Sequence, residues 1–462
     1  MTMMMHTKSF FLPTFIFLSL INTHTFAQVS VDEAKKLGQN LTPFGAEKAA
    51  NAAGTIPAWE GGITKNQIPA HYQGTGFHHP DPFPTEKPFY VINAKNSAQY
   101  ESKLSAGLIA LLKTYPETFA IPVYVTHRTH GAPDWVAANT LKNATTTKLT
   151  ASGNGIENAI GGIPFPIPQN ALEVLWNHMT RFRGSYVVRD SAETAVQANG
   201  KFVIINGLTE VDFTYYDKTK TAETLNNNLF YYLNEIKGPA RLAGGATLIH
   251  EKLNQEVEPR QAWVYNAGQK RVRRAPNLAF DSPISESEGL RTADDTDMFN
   301  GSPERYNWKL IGKQEMLIPY NNYRLDDPTL KYTQILKAGH INPNYTRYEL
   351  HRVWVVEGVL KGNQRHIYSK RRFYIDEDSW SIALADQYDG RGELWRVSIA
   401  FLKNYYEVPL TWTALDSYYD LQAKRYHVQF LDNEEPRTLD FGQKSPGDAH
   451  FQPSELRRLG KR

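Results

Sequence analysis

The spacing of apolar residues changes along the chain, from a helical period in the first half to a period of two in the second. Tyr100, Leu104, Leu108, Leu111, Leu112 and Tyr115 share one helical stripe that stops before Pro116. Leu172, Leu175, Trp176, Met179 and Phe182 form a second, with Asn170 as its N-cap and Gly184 as its stop. Leu225, Leu229, Tyr232, Leu233 and Ile236 form a third, ended by Gly238-Pro239. Each stripe covers about a third of a helix surface, which predicts three amphipathic helices lying on an apolar body.

From about residue 245 to 432 the period is two. Trp380, Ile382 and Leu384 alternate with small residues, and Trp395, Val397, Ile399 and Phe401 alternate with Arg396, Ser398 and Ala400. Asp389-Gly390-Arg391-Gly392 between these runs is a turn signal. Residues 347–360 and 365–376 are long β-rich runs joined at Lys361-Gly362-Asn363-Gln364, and 261–265, 307–319, 411–421 and 424–431 are further strands. Such short connections leave no room for crossover helices, so the sheet is expected to be antiparallel. With six or more strands it curls or closes. Along 348–359 neither alternate face is cleanly polar. A curved sheet with a core on one side and a lined hollow on the other has this pattern, and so has a two-layer core whose helices fill the hollow.

Four segments are expected. Phe10 to Ile21 is an apolar stretch of signal-peptide length, and Thr25-Phe26-Ala27 has the small-x-small form of a cleavage site. Residues 1–27 therefore read as an export signal. Residues 28–95 are rich in Gly, Pro and Asn but carry Trp59, Tyr72, Phe77, Phe83, Phe89 and Tyr90, which suits an irregular segment wrapped over a body. Residues 96–440 hold one β domain with helices, and 441–462 a C-terminal tail. No later run has the roughly 18 apolar residues of a membrane-spanning helix.

Several longer words resemble a proteobacterial family of unassigned function, domain-of-unknown-function family 1329, labelled outer-membrane lipoprotein-sorting-like. They are Arg372 to Trp380, Asp386 to Arg396, Gly161-Gly162-Ile163-Pro164-Phe165-Pro166-Ile167-Pro168 leading into Trp176-Asn177-His178, and Arg273-Arg274-Ala275-Pro276-Asn277. Thr292 to Pro303, Ile318 to Tyr323 and Tyr348 to Trp354 complete the set. The resemblance implies a fold like the periplasmic lipoprotein carriers of the Lol type. That fold is α+β, mainly β: a large curved antiparallel sheet, a half-open barrel, with helices covering the concave face. The resemblance carries no catalytic residues.

Composition narrows the chemistry. The chain has 462 residues and no cysteine, which removes disulfides, zinc-thiolate sites, iron–sulfur clusters and a cysteine nucleophile. It also removes a lipid anchor on an N-terminal cysteine. A net charge of +3 is too even for a nucleic-acid binder. Nucleotide-binding glycine loops, GxSxG and HExxH are absent, so no cofactor and no enzyme activity are expected. The His groupings, His127 and His130 with Asp134, and His71, His78 and His79 with Asp81, match no metal motif, and no metal is expected.

Binding is therefore the expected chemistry. Trp176, Trp263, Leu350, Trp354, Phe373 and Leu394 are candidates to line a hydrophobic hollow for a lipid or acyl chain. Gly161, Gly162, Pro164, Pro166 and Pro168 form a stiff lip or hinge before the second helix. Arg273, Arg274, Arg371 and Arg372 are candidates for contact with an anionic headgroup. The expected function is a periplasmic, unanchored, non-covalent carrier or chaperone of a lipid, lipoprotein or other hydrophobic molecule. A second reading is an adaptor of envelope transport proteins, with the wrapped segment and an acidic 281–304 loop as partner surfaces. A third is a cleft hydrolase using Asp376 or Asp378.

Overall fold

The computed structural model describes residues 29–459 apart from 277 and 279; the expected export signal lies outside the described residues. Strands β1 (Tyr90–Ile92) and β2 (Ile121–Val123) belong to the main sheet, while β3 (Lys148–Leu149) and β4 (Ile156–Glu157) make a separate ribbon. A first run of hairpins follows: β5 (Tyr186–Val196), β6 (Ile205–Asp212), β7 (Asn228–Gly238), β8 (Ala246–Lys252), β9 (Gln261–Asn266) and β10 (Arg271–Arg274). A second run holds β11 (Tyr306–Pro319), β12 (Tyr348–Leu360), β13 (Lys370–Asp376) and β14 (Ile382–Tyr388). It continues through β15 (Leu394–Tyr405), β16 (Leu410–Asp420) and β17 (Arg425–Leu431), with β18 (Leu439–Asp440) after it.

The order across the sheet is β1-β2-β12-β13-β14-β15-β16-β17-β5-β6-β7-β8-β9-β10, with β11 beside β12 and β18 beside β5. Its pairings are antiparallel except for one parallel bridge between Tyr348 and Val123. The two hairpin runs meet where β17 pairs with β5, Tyr426 opposite Val196. The architecture is thus α+β and mainly β, with one large open sheet.

The helices are α1 (Val31–Ala34), α2 (Ala106–Thr114), α3 (Asp134–Thr146), α4 (Ala171–Thr180), α5 (Tyr332–Ile335) and α6 (Pro453–Leu459). The second predicted helix forms as α4. Asn170 Oδ1 accepts from the Glu173 backbone N at 3.1 Å, and Glu173 Oε2 accepts from Gln169 N at 2.6 Å, closing the first turn. Replacing Asn170 by Ala is expected to lower stability by about 1 kcal/mol, read as a shift in the urea midpoint. The first stripe splits: residues 97–103 form a tighter helix, and α2 starts anew where Ser105 Oγ accepts from Leu108 N at 3.1 Å. The third stripe is not a helix. It is strand β7, and its helical spacing arises because both faces are half covered. Phe230, Tyr232 and Asn234 face inward, while Tyr231 and Leu233 pack against residues of the C-terminal segment. The Asn226-Asn227 pair just before it lies in the left-handed region, which ends any helix begun at Leu225.

Both faces of the sheet are covered. On β14, Asp386 Oδ1 accepts from Gly107 N of α2 at 2.9 Å, while the next residue, Gln387, donates to Asp295 Oδ1 at 3.1 Å. Successive residues point to opposite faces. Helix α2 and the segment 278–300 therefore lie on opposite sides. Helix α4 reaches that segment through His178 Nε2 and the Asp297 carbonyl, 3.0 Å apart. The residues expected as a C-terminal tail instead seal the far end, Phe451, Leu456 and Leu459 packing on Tyr186, Leu233 and Leu248.

Candidate functional site: a strapped cavity with an arginine lining

Five adjacent strands each contribute alternate residues to one cavity. Strand β5 supplies Val187, Arg189, Ser191 and Glu193; β6 supplies Ile205, Gly207, Thr209 and Val211. Phe230, Tyr232 and Asn234 come from β7, Thr247 and Ile249 from β8, and Val264 from β9. The period of two places all of these on one face. Leu278 and residues 280–300 cross over them as a strap, contributing Leu278, Ile284, Glu286, Arg291 and Asp297. The cavity is partly open and its volume is about 230 Å³. A groove of about 660 Å³ adjoins it, sharing Ile205, Ser285 and Glu286 and continuing past Ala195 on β5 to Gln197 just beyond the strand.

The cavity wall mixes aromatic rings with guanidinium groups. Arg183 lies 4.7 Å from the Phe213 ring centre and Arg189 4.7 Å from that of Phe430. Asp297 ties the strap down. Its carboxylate meets Arg181 and Arg183, each at 2.6 Å, and Trp412 Nε1 at 3.2 Å. Burial alone would raise the Asp297 pKa, but the two guanidiniums outweigh it and hold the group well below the usual carboxylate range. Burial pushes Arg183 down to about 10 despite Asp297. At the groove end Glu193 lies 3.2 Å from His427 and 4.0 Å from Arg291.

The six residues expected to line a hollow are elsewhere. Trp176 is fully buried in the main core and donates Nε1–H to the Gly153 carbonyl at 3.1 Å. Leu350 and Phe373 are core residues, Phe373 packing on Phe299 and Trp308. Trp354 stacks on Trp380 and carries the Lys313 ammonium 4.9 Å from its ring centre. Leu394 is half-buried at the start of β15. Trp263 lies on the cavity-lining strand β9 but points to the other face, against His250; its neighbour Val264 lines the cavity. The cavity lies under the strap, and of the three predicted helices only the third, which forms β7, borders it.

The predicted lip is pinned. Gly161 N donates to the Tyr215 carbonyl at 2.9 Å, Tyr215 OH to the Gly162 carbonyl at 2.8 Å, and Ile163 N to Thr140 Oγ1 at 3.0 Å. Asn177 of α4 bonds both the N–H and the carbonyl of Phe165. A Cβ on Gly162 would collide with the Thr140 backbone. Gly161, Gly162, Pro164, Pro166 and Pro168 thus form a fixed connector away from the cavity.

The arginines divide. Arg273 and Arg274 are exposed on β10, and Arg372 is paired with Glu357 at 2.6 Å. Arg371 is corrected outright: it is fully buried, with Nη1 2.8 Å from Asp294 Oδ2 and Nη2 2.9 Å from Asp295 Oδ1, and no headgroup reaches it. Within the acidic 281–304 segment Asp294, Asp295 and Asp297 point inward, while Glu288 and Glu304 remain exposed. The acidic turn is equally committed. Asp378 chelates Arg128 at 2.9 and 2.6 Å, Glu377 meets Lys313 at 2.9 Å, and Asp376 accepts from Ser379 Oγ at 2.6 Å. These carboxylates are buried turn and ion-pair groups, not an open acid pair. Among the described residues, His78–Asp326–Asp432 and His351–Asp376–Asp378 are close enough to share an ion. Lys403 on Asp326 and Arg128 on Asp378 already fill the cation's place in each.

The profile described as "Protein of unknown function (DUF1329)" matches residues 91–457. The chain belongs to the DUF1329 family. The matched span contains every cavity-lining strand, the strap and most of α6. The chain is 49% identical over 445 residues to the uncharacterized protein PA3922 of Pseudomonas aeruginosa, covering 96% of this chain and 97% of that one. It is similar to a solved outer membrane lipoprotein-sorting protein domain from Vibrio parahaemolyticus, at 15% identity and TM-score 0.43, covering 62% of this chain and 98% of that one. It is also similar to a DUF1329 family protein from Desulfovibrio piger, at 14% identity and TM-score 0.41, covering 59% of this chain and 92% of that one. Among the described residues of this DUF1329 protein, no helix is long and apolar enough to cross a membrane.

The cavity residues missed in the sequence, Arg183, Arg189, Arg291, Phe230 and Trp412, left one usable signal. Val187-x-Arg189-x-Ser191-x-Glu193 is an alternating inward face, bounded by Gly184 and by the turn at Asn199-Gly200.

Proposed function

We propose that this DUF1329 protein is a periplasmic, non-covalent carrier or chaperone of a hydrophobic molecule. The observation that supports this most is the strapped cavity: five strands turn alternate side chains into one space, and that space continues into an open groove. A structural core fills such a space with its own side chains. Loading proceeds by displacement of the strap, whose Phe280 and Asp281 end meets Arg305 by ring and charge contact. No covalent step is involved, and the buried carboxylates of the 376–378 turn have no role in chemistry.

Native mass spectrometry of protein purified without detergent is expected to show a co-purifying apolar adduct. An apolar fluorescent probe is expected to bind and to be displaced by added lipid. A chain that carries no adduct and binds no probe overturns the carrier reading.

A further inference from the structure

We propose that the ligand is an anionic single-chain amphiphile, its charged head held at Arg189 and its chain running along β5 toward the groove. This rests on the carrier reading and names the ligand class.

Arg189 carries the proposal. The residue is 4% exposed and lines the cavity. Its Nη2 is used: it donates to the carbonyls of Ala414 at 2.7 Å and Phe430 at 2.9 Å and faces Asp432 Oδ2 at 3.3 Å. Its Nε and Nη1 have no acceptor among the described residues. A guanidinium carries one N–H on Nε and two on each Nη, so more than half its donors are unmet on a buried side chain. A buried charged donor left without an acceptor is costly, and the cost is removed by an oxygen-rich anion at the cavity end. Arg183 Nε, on the same cavity wall, is also without an acceptor among the described residues.

The paired charges leave the free donors of Arg189 on offer. Arg189 and Lys403 face the carboxyls of Asp432 and Asp326. Asp297 is held by Arg181 and Arg183, and Glu193 lies 3.2 Å from His427 and 4.0 Å from Arg291. Glu286 is a wall carboxyl with no ion-pair partner among the described residues; it sits on the strap where cavity and groove join, so a charged head fits at Arg189 and not at that junction.

The rest of the wall asks for a chain. Val187, Val211, Phe230, Ile249 and Trp412 line the same cavity with apolar surface. From Arg189 to Ala195, where the groove begins, β5 advances six residues, about 20 Å. The cavity's volume of about 230 Å³ lies below the roughly 300–1,000 Å³ that holds a whole drug-sized ligand, so one head and part of one chain fit and the remainder lies in the groove.

The test is calorimetric titration of the full chain, stripped of lipid, with decanoate, decyl phosphate, decanol and inorganic phosphate. Decanoate or decyl phosphate is expected to bind at least about tenfold tighter than decanol. The tighter of the two identifies the head as carboxylate or phosphate. Arg189→Lys, which keeps the charge but not the fork of donors, is expected to cut that preference about tenfold while decanol affinity stays unchanged. The wild-type comparison decides the matter even where the variant is unstable. Equal binding of decanol and both anions overturns the inference and leaves the carrier reading standing. Inorganic phosphate binding as tightly as decyl phosphate overturns the chain. Failure of all four to bind overturns the carrier reading itself.

Discussion

Replacing Arg371 by Met is expected to destabilise the protein by about 3–5 kcal/mol, the cost of leaving buried carboxylates without their counter-charge. Arg371 is the guanidinium that bonds both Asp294 and Asp295, and all three are buried. Its removal leaves Asp294 with His366 Nε2 at 3.1 Å and Thr292 Oγ1 at 2.7 Å, and Asp295 with Thr292 N at 3.0 Å, Tyr368 OH at 2.9 Å and Gln387 at 3.1 Å, and no guanidinium bonded to either. Burial would raise the Asp294 pKa, but the Arg371 guanidinium outweighs it and keeps the carboxyl ionised; the variant loses that balance. Lysine is a poor substitute, because one ammonium cannot reproduce the three guanidinium bonds to two carboxylates. Asp294 and Asp295 belong to the strap, so the same change is expected to loosen its docking over the cavity. Urea unfolding of the two chains gives the free-energy difference, and protease cleavage within 278–300 reports the strap. A midpoint displaced by less than the equivalent of about 0.5 kcal/mol would show that the cluster does not hold the strap.

That Arg371 reads as a headgroup contact in the sequence shows where sequence reasoning stops. Lys370-Arg371-Arg372 is one basic word, but β13 turns its members to alternate faces. Arg371 faces the strap, and Arg372 faces Glu357 across the β12–β13 pair. Only tertiary placement separates them. The same one-residue parity puts Trp263 on the α6 side and Val264 in the cavity.

The antiparallel β12–β17 meander was legible, because its strands alternate and Gly marks the turns at 361–364 and 389–392. Helix α4 was legible from its stripe and cap. The first meander, β5 to β8, was not. Charged and polar side chains there point into a cavity, so alternation carries no clean division between apolar and polar. In β7 two half-covered faces imitate a helical stripe. A site that buries arginines breaks the rule by which hydrophobic pattern reveals a core, and that is why the cavity escaped the reading.

The second large effect concerns pH. His351 on β12 is fully enclosed, its Nε2 3.2 Å from Glu349 and its Nδ1 3.5 Å from Asp376, with the Tyr320 ring over it at 4.1 Å. Burial alone would lower its pKa, but the carboxylates of Asp376 and Glu349 outweigh it and push it up to about 9. The unfolded chain has an ordinary His pKa of about 6.5, so the folded form binds one more proton between about pH 6.5 and 9. The stabilisation is fully present below pH 6.5 and is lost as pH rises through about 9, on the order of 3 kcal/mol in all. Two buried acids change stability in the same direction but at lower pH. Burial pushes Asp386 up to about 6 and Asp416 to about 7, so their contributions are lost between about pH 4 and 8. Burial pushes His79 and His130 down to about 4 and His178 to about 3, and these act in the opposite sense until the unfolded chain has lost its histidine protons near about pH 8. From about pH 8 to 9 both effects are spent, and unfolding free energy is expected to fall by about 1 kcal/mol per pH unit, close to the slope of one proton. In His351→Gln the curve starts lower, because Glu349 keeps Arg347 but Asp376 loses its cation, and most of that slope is expected to disappear. A wild-type curve that is flat from about pH 8 to 9, or a variant that keeps the slope, would mean that His351 sits neutral between its two carboxylates.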